Sequence, residues 1–385
     1  VRQVIPLIEP SSIQCCVTSP PYWGLRDYRV HGQLGLEPTP ELYVAHMVEV
    51  FREVKRVLRD DGTLWLNLGD SYTANGKSGD TRGGFNARYF GSGSNQGKQA
   101  EAVNHLPERV IPSGLKPKDL CGIPWRVAFA LQADGWYLRS DIIWSKANPM
   151  PESVTDRPTK AHEYLFLLTK SARYYYDCDA IREPHAPKTF TTQGIPFTKG
   201  RGDNSGRIKS QNFNGSLEVH RLNPSGANRR SVWTIATEPF PQAHFATFPT
   251  DLVKPCVMAG TSEHGACAVC GAPWERVVEV SRTFESGSGR SGIMPTGKNG
   301  PSLQGGGATL DIRRGPVVHT TTTGWQPTCA HDVPTRPCLV LDPFVGSGTT
   351  VLVAKDLGRH AIGCDLKPEY LAMARKRTRQ GALWL

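Results

Sequence analysis

The chain has 385 residues, enough for one α/β catalytic domain and roughly another domain's worth of additional chain. Its 45 Lys and Arg against 35 Asp and Glu leave a formal charge of +10, which favours a polyanionic partner, although many soluble proteins are basic for no specific reason. No apolar run approaches the ~20 residues that span a bilayer, and Val1 to Pro10 lack a signal-peptide pattern, so we expect a cytoplasmic protein without membrane association.

The first informative stretch is the apolar run Ile13 to Val17, followed by Thr18-Ser19-Pro20-Pro21-Tyr22-Trp23. β-branched and sulfur side chains cut off by two prolines predict a buried strand that ends in a rigid loop. The loop offers a hydroxyl, main-chain carbonyls without a neighbouring N–H, and two aromatic rings. These groups suit a flat aromatic amine, because the oxygens accept amino hydrogens and a ring can stack on its face. A Pro-rich turn with packed aromatic rings is an equally open interpretation of these six residues.

A βαβ unit follows. Thr39 as N-cap and Pro40 at the first helical position predict a helix that ends at Asp60-Asp61-Gly62. Its apolar residues fall on one face: Tyr43, Met47, Val50, Phe51, Val54 and Leu58. Thr63 to Leu68 reads as the next buried strand. Residues 69–115 are then Gly-rich and polar, and we expect a mobile loop, since such a segment cannot bury enough apolar surface to order itself.

The middle of the chain predicts a helix over Ile123 to Ala133, ended by Asp134-Gly135, and a strand from Trp136 to Trp144. His162 to Leu168 and Arg173 to Asp177 predict a hairpin that closes the sheet. Residues 178–231 are basic, rich in Gly, Ser and Asn, and poor in apolar periodicity. After Val232-Trp233-Thr234, a helix begins near Pro249.

The ten cysteines of a cytoplasmic chain indicate metal binding or packing rather than disulfides. Cys267 and Cys270 form a C-x-x-C knuckle, and Cys329 with His331 adds a second pair. Three thiolates and one imidazole make the tetrahedral set that a structural zinc prefers. The C-x-H pair is one residue tighter than usual, so His264 or Cys256 can replace one ligand.

Two other interpretations of the knuckle are weaker. A redox role lacks the expected βαβ setting. A catalytic zinc is disfavoured because four protein ligands leave no open position.

Near the end, Cys338 to Leu341 leads into Asp342-Pro343-Phe344-Val345-Gly346-Ser347-Gly348-Thr349-Thr350 and then Val351 to Ala354. Strand, glycine loop and helix form the βα unit that brings backbone close to a nucleotide-like ligand. Ala361 to Asp365 is a second strand whose terminal carboxylate can accept both ribose hydroxyls. The loop lacks the Lys of a P-loop and the full dinucleotide spacing, so ATP and NAD are both poorly supported.

The proline-aromatic loop and the glycine loop, in this order, resemble the β group of amino-methylating DNA methyltransferases of bacteria and phages, whose motif order is permuted. The resemblance covers most of the chain. It implies an α/β fold: a Rossmann-like, seven-stranded, mostly parallel sheet with helices on both faces, a target-recognition insertion and a small zinc-binding insertion. The implied divisions are a catalytic half (1–177), a target-recognition region (178–231), a cofactor-contacting segment (232–262), a zinc-knuckle insertion (263–335) and a cofactor-binding half (336–385).

The resemblance also implies the site residues. The target base is held by Ser19, Pro20, Pro21 and Tyr22, with Ser145 to Pro149 and Arg157 to Thr159 near its pocket. S-adenosylmethionine is contacted by Asp342, Phe344, Gly346, Gly348, Thr349 and Asp365, together with Phe245, Thr247 and Pro249.

The implied partner is double-stranded DNA, over which the loop 69–115 closes unless it is an insertion without function. A cognate restriction endonuclease that acts separately is a further possible partner, and the enzyme is expected to be a monomer or a homodimer.

Methyl transfer needs an amine nitrogen aligned with the methyl carbon. Base flipping exposes the amine, Tyr22 stacks on the base, and hydrogen bonds to Ser19 Oγ and the Pro20 carbonyl favour a pyramidal nitrogen. The proton is expected to leave afterwards through water. No motif places a His and an Asp to make Ser19 a nucleophile.

The target atom follows from the resemblance. Family members with Ser at this position are mostly cytosine-N4 enzymes and those with Asp mostly adenine-N6 enzymes, so Ser19 favours cytosine N4. Cytosine C5 chemistry needs a Pro-Cys pair after the glycine motif, and both Pro255-Cys256 and Pro337-Cys338 precede it.

Two alternatives from other classes remain: a non-catalytic, zinc-containing DNA-binding protein, and a methyltransferase acting on RNA or a small molecule.

Overall fold

The structure, a computed structural model, describes residues 4–73, 114–184, 226–238, 248–283 and 317–380. Its helices are α1 (Pro40–Val57), α2 (Ile123–Ala133), α3 (Thr250–Gly260), α4 (Thr349–Asp356) and α5 (Pro368–Gln380). Its strands are β1 (Ile13–Thr18), β2 (Leu58–Leu68), β3 (Tyr137–Lys146), β4 (His162–Thr169), β5 (Val232–Ile235), β6 (Ala266–Cys267), β7 (Trp274–Thr283), β8 (Val317–Pro327), β9 (Thr335–Arg336), β10 (Leu339–Asp342) and β11 (His360–Gly363).

Seven strands form one sheet in the order β11-β10-β1-β2-β4-β3-β5. The sheet is mixed: β4 runs antiparallel to its neighbours β2 and β3, and the other pairs are parallel. The strand nearest the end of the chain, β10, therefore lies directly beside the first strand, β1. Because β10, β1 and β2 run in the same direction, the loops that follow them lie at one edge of the sheet.

Alternate residues of the central strands pack against different helices. Cys16, Leu64 and Leu66 belong to a buried core that α1 and α2 complete. Their neighbours Cys15 and Trp65 point the other way, where α3 covers them. A Cβ placed on Gly260 of α3 would lie 2.7 Å from Cys15 Sγ, so this helix approaches the sheet closely. The sheet thus carries helices on both faces.

Helix α1 begins as predicted, with Thr39 Oγ1 accepting a hydrogen bond from Leu42 N at 3.3 Å. Every apolar residue of the predicted face is buried. The predicted end at Asp60 to Gly62 is wrong, because the helix stops at Val57 and β2 starts at once. Leu58 pairs with Ile13 of β1 and is fully buried. Pairing within the sheet therefore begins before the chain reaches Asp60-Asp61-Gly62, the residues predicted to end the helix.

The predicted hairpin between His162 to Leu168 and Arg173 to Asp177 is also wrong. Strand β4 is paired along its length with β2 on one side and β3 on the other, so neither edge is open to a third partner. Residues 173–177 form no strand. This segment packs against the large sheet instead: the ring of Tyr176 stacks on that of Trp65 in β2, with ring centroids 6.4 Å apart.

The structure adds elements that the sequence patterns did not predict. These are helix α5, strand β5 and the strand pairs β6–β9 and β7–β8. The chain divides into two compact units. One comprises Val1–Ala180, Arg230–Glu275 and Pro327–Leu385, and holds the large sheet; the other comprises Ile181–Arg229 and Arg276–Gln326. Of the predicted mobile loop and target-recognition region, residues 74–113 and 185–225 lie outside the described residues. None of the helices described is both long enough and apolar enough to cross a membrane.

Candidate active site and metal centre

The two segments singled out from the sequence meet at the carboxyl ends of β1 and β10, two inner strands of the large sheet. Thr18 ends β1 and Asp342 ends β10, and Thr18 Oγ1 donates a hydrogen bond of 2.7 Å to Asp342 Oδ1 across 324 residues of chain. Thr350 Oγ1 donates to Oδ2 at 2.7 Å, and Phe344 N donates to Oδ1 at 3.1 Å. Asp342 therefore joins the start of the proline-aromatic loop to the glycine loop.

Asp342 is only 1 % exposed, and this burial raises the pKa of its carboxyl to about 6. Hydrogen bonds from Thr18 and Thr350 oppose the shift. Both oxygens have partners inside the protein, so in this structure the side chain predicted to contact the cofactor ties the two loops together.

The glycine loop has a backbone that its two glycines permit. Gly346 and Gly348 have φ of 48° and 85°, in the left-handed region that favours glycine. At Gly348 an added Cβ would lie 2.9 Å from the Cβ of Ala374 in α5, so a side chain has no room there. At Gly346 it would meet, among the described residues, only the Phe344 carbonyl, at 3.9 Å, so the described part of the chain leaves space beside this backbone.

Asp365, which follows β11, holds the backbone of the glycine loop at Gly346. Its Oδ2 accepts a hydrogen bond from Gly346 N at 3.0 Å, and its Oδ1 accepts one from Lys367 N at 2.9 Å. Burial raises the pKa of Asp365, while these backbone bonds oppose the rise. The carboxylate follows β11, so it lies where the sequence predicted an acidic group, and each oxygen keeps a further lone pair.

Sequence reasoning missed Arg377. This residue of α5 donates from Nη1 to Ser347 Oγ at 3.1 Å and to Thr349 Oγ1 at 2.8 Å, and so fixes the hydroxyls of the glycine loop. The only local signal was a basic last turn in a segment with Pro at its start.

The proline-aromatic loop is anchored at several points. Tyr43 of α1 donates its hydroxyl to the Pro21 carbonyl at 2.9 Å, and Trp23 Nε1 donates to the Glu37 carbonyl at 2.8 Å. No hydrogen bond occupies the Pro20 carbonyl within the part of the chain that is described. As far as the described residues go, the Pro20 carbonyl is therefore available to a ligand.

The hydroxyl of Tyr22 lies in a polar network at the ends of β2 and β4. It accepts a hydrogen bond from Ser19 Oγ at 3.2 Å, donates to Glu163 Oε2 at 2.6 Å and lies 3.1 Å from Asn67 Oδ1. Lys146 Nζ donates to Glu163 Oε1 at 2.6 Å. Burial and the neighbouring charge of Glu163 raise the pKa of Tyr22. Glu163 and Asn67 were not singled out from the sequence. The only signal for each was that it is a polar residue within a largely apolar strand.

The remaining predicted cofactor contacts come from the segment before α3. Phe245 and Thr247 lie outside the described residues. Pro249 is buried directly before α3, whose first turn is held by Glu238: Thr250 N and Thr250 Oγ1 donate to its carboxylate at 3.1 and 2.7 Å.

The four predicted metal ligands come together. One ligand atom from each of Cys267, Cys270, Cys329 and His331 lies within 4.8 Å of all the others. Backbone N–H groups of Cys270 and Val269 lower the pKa of the Cys267 thiol to about 6, against an opposing effect of burial. The two alternative ligands lie in other environments: the Cys256 thiol donates to Leu252 O at 3.1 Å within α3, and the His264 ring packs 4.6 Å from that of Trp274.

The Cys/His cluster is attached near the amino ends of the strands, whereas the two loops follow the carboxyl ends. Gln14, the second residue of β1, donates from Nε2 to the Gly271 carbonyl at 3.0 Å. Its Oε1 accepts from Leu339 N, at the start of β10, at 2.7 Å. Arg59, near the start of β2, donates to the Cys270 carbonyl. The amino ends of β1 and β2 therefore hold the knuckle directly, and Gln14 links it to the start of β10.

Neither Pro-Cys pair has a reactive thiol. Cys256 is fully buried, and burial raises the pKa of Cys338 to about 11. A thiolate nucleophile needs the opposite shift.

Comparison with known proteins identifies the family. A profile of DNA methylases, the N6 and N4 methyltransferases, matches residues 13–268 and 338–376. The type II methyltransferase M.SmaI of Serratia marcescens is 36% identical over 98% of this chain and 87% of its own length. M.XycI of Xanthomonas campestris pv. cyanopsidis is 38% identical over 97% of this chain and 84% of its own.

Among solved structures, the cytosine-N4-specific PvuII DNA methyltransferase covers 97% of this chain and 82% of its own at 16% identity and a TM-score of 0.47, too distant a likeness to transfer specificity. The sequence matches are far stronger, and they extend through both the proline-aromatic loop and the glycine loop. The chain belongs to the DNA methylase family of N6 and N4 methyltransferases.

Proposed function

We propose that this chain transfers a methyl group from S-adenosylmethionine to the exocyclic N4 of a cytosine flipped out of duplex DNA. The observation that carries the proposal is the hydrogen bond of 2.7 Å between Thr18 and Asp342. It brings the loop that offers acceptors for an amine next to the loop that offers backbone to a nucleotide-like cofactor. Family membership supports DNA as the substrate.

On the cofactor side, the residues present fit the group. The space that the described residues leave at Gly346 keeps the loop backbone accessible, and Asp365 has lone pairs left for two ribose hydroxyls. Phe344, Gly348, Thr349 and Pro249, with Phe245 and Thr247, complete the proposed contacts, while Asp342 acts by holding the loop in place. When bound, S-adenosylmethionine supplies a methyl group on a sulfonium that is a good leaving group.

On the substrate side, the work of the protein is alignment. Ser19 Oγ and the Pro20 carbonyl accept the two amino hydrogens, which directs the nitrogen lone pair away from them. Pro21 fixes the loop through its bond to Tyr43, and the ring of Tyr22 stacks on the base. Holding the nitrogen in line with the methyl carbon removes most of the entropic part of the barrier.

Cytosine N4 is favoured over adenine N6 by Ser19, since related enzymes with Ser at this position mostly modify cytosine. Adenine N6 is the alternative within the same family. The buried, unreactive thiols of Cys256 and Cys338 argue against C5 chemistry. By analogy with its type II relatives, we expect a cognate restriction endonuclease that acts as a separate protein, with residues 178–231 reading the DNA sequence.

We also propose that Cys267, Cys270, Cys329 and His331 bind a structural zinc ion. Tetrahedral bonds of about 2.3 Å place ligand atoms roughly 3.8 Å apart, and these four side chains already converge to within 4.8 Å. Their attachment to the amino ends of the strands keeps the ion remote from the loops that follow the carboxyl ends. Its role is to join the knuckle to β1, β2 and β10.

The proposal is tested by offering the purified protein labelled S-adenosylmethionine with unmethylated duplex DNA, RNA or a panel of small amines. We expect label in DNA alone. A protein that binds DNA but neither binds the cofactor nor labels any acceptor would be a zinc-containing DNA-binding module. Label in RNA or a small amine would move the substrate to another class.

A further inference from the structure

A chain of hydrogen bonds leads from the proposed base-binding loop into the protein. Ser19 Oγ donates to Tyr22 Oη at 3.2 Å, and Tyr22 Oη donates to Glu163 Oε2 at 2.6 Å. In both bonds the donor is the residue nearer the substrate, so the lone pairs of Ser19 Oγ are not used within this series of hydrogen bonds and remain available to a hydrogen from a substrate. The series of hydrogen bonds ends on the carboxylate of Glu163.

Glu163 is held as an acceptor by groups from two neighbouring strands. Lys146 Nζ of β3 donates to Oε1 at 2.6 Å, and Asn67 Nδ2 of β2 donates to Oε2 at 3.2 Å. Asn67 is itself fixed, because Nδ2 also donates to the Tyr164 carbonyl at 3.1 Å. The Glu163 side chain is only 14% exposed, so its pairing with Lys146 is poorly screened by solvent. The cations Lys160 and, when protonated, His162 also lie within electrostatic reach.

Tyr22 has the properties of a relay group. Burial and the charge of Glu163 raise its pKa, so its hydroxyl stays neutral at physiological pH. A neutral hydroxyl can accept one proton while it gives up another. The ring cannot swing away easily, since a Cβ at Gly69 would lie 2.6 Å from its Cε2 atom, which shows how closely the ring packs on this strand end.

We propose that Ser19, Tyr22 and Glu163 form a proton relay that removes the amino proton released by methyl transfer, with Glu163 as the final acceptor. The inference rests on the proposed function, because it requires an exocyclic amine beside Ser19. It replaces bulk water with a defined route, and it makes Glu163 a positioning residue that acts through Tyr22.

The carbon–sulfur bond breaks as the nitrogen–carbon bond forms, the sulfonium becomes a neutral thioether, and the nitrogen takes the positive charge. One N–H bond then breaks and its proton joins Ser19 Oγ, while the Ser19 hydroxyl proton passes to Tyr22 and the Tyr22 proton passes to Glu163. The products are a neutral methylated amine, two unchanged hydroxyls and a protonated carboxyl that later loses its proton to water.

The test compares Glu163→Gln, Tyr22→Phe and the double variant in single-turnover methylation of duplex DNA. Gln keeps a carbonyl to accept from Tyr22 but cannot take a proton, and Phe keeps the ring for stacking. We expect each single variant to slow methyl transfer roughly 10²-fold, with the affinities for cofactor and DNA unchanged. The double variant should be no slower than either single variant, because one relay is broken only once.

Glu41→Gln is the control, since Glu41, like Glu163, pairs with a basic side chain, here Arg126 at 3.1 Å, but forms no hydrogen bond with Tyr22. It should keep the wild-type rate. Full activity in Glu163→Gln, or losses that multiply in the double variant, would overturn the relay. If unpairing Lys146 impairs folding of Glu163→Gln, Tyr22→Phe still decides, because it leaves the Lys146–Glu163 pair intact. A wild-type protein that labels no DNA would instead refute the proposed function.

Discussion

Asp342 carries two tasks that conflict at the scale of a single residue. Its carboxylate accepts hydrogen bonds from Thr18, Thr350 and Phe344, which hold two distant segments together. It does so with almost no contact with solvent, and this disfavours its charged form. The junction on which the site depends is therefore also a source of pH sensitivity.

The sign of that sensitivity follows from the pKa. The folded value of about 6 exceeds the ~3.9 of an unfolded Asp, so the folded state binds this proton more tightly. The stability it contributes is full below pH ~4 and is lost as the pH rises through about 6. A difference of about two pKa units corresponds to on the order of 3 kcal/mol.

Asp342→Asn cannot ionise, so it should lack this loss. We expect the free energy of unfolding of the wild type to fall by up to ~3 kcal/mol relative to the variant between pH 4 and pH 7, measured by denaturant titration. Asp156→Asn is the control, because its exposed carboxyl pairs with Lys118 and has a lowered pKa, which gives a difference of opposite sign. Parallel curves for wild type and Asp342→Asn would contradict the buried junction.

At the scale of elements, the glycine loop and α5 are fitted to each other. Gly348 combines a left-handed φ of 85° with an approach of 2.9 Å between an added Cβ and the Cβ of Ala374. Gly358 has a similar φ of 73°, but no non-neighbouring residue in the described ranges comes within 4 Å of an added Cβ. Alanine substitutions at the two positions therefore distinguish the cost of backbone strain, which both share, from the cost of a clash with α5, which only Gly348 has.

Gly358→Ala should destabilise the protein by about 1 kcal/mol, the usual cost of a left-handed alanine. Gly348→Ala should cost roughly 1–3 kcal/mol more, because α5 must shift to admit the methyl group. Thermal and denaturant unfolding of both variants measure the difference. Equal losses would mean that α5 does not rest on the glycine loop.

Elements set by local signals were predictable, and those set by distant partners were not. The start of α1 follows from Thr39 and Pro40, which act within one turn. The hairpin prediction failed because β4 takes both its partners, β2 and β3, from other parts of the chain. The site divides in the same way. Its loop residues stand in contiguous motifs and were predictable, whereas Glu163 reaches Tyr22 across 141 residues and Arg377 reaches Thr349 across 28.

At the scale of the whole molecule, the large sheet separates two kinds of site. The proposed chemistry lies beyond the carboxyl ends of β1 and β10, while the Cys/His cluster is fastened to the amino ends of the same strands through Gln14. The pairing of β10 with β1 also explains how a glycine motif near the end of the chain can serve a motif near its start.

Elemental analysis of the purified protein should find one zinc per chain. A strong chelator, or Cys270→Ser, should lower the melting temperature while methyl transfer persists below the new transition. Cys121→Ser, which changes a buried thiol outside the cluster, controls for the loss of a thiol. A protein without zinc, or one that loses methyl transfer at temperatures where it remains folded, would contradict a purely structural ion.

The most direct test is nucleoside mass spectrometry on DNA from cells that express the chain, with cells expressing Ser19→Ala as the control. N4-methylcytosine should appear with the wild-type chain and be strongly reduced with the variant. N6-methyladenine would keep the chemistry but correct the target base. 5-Methylcytosine, or no modified base at all, would contradict the claim that these two loops form one amino-methyltransferase site.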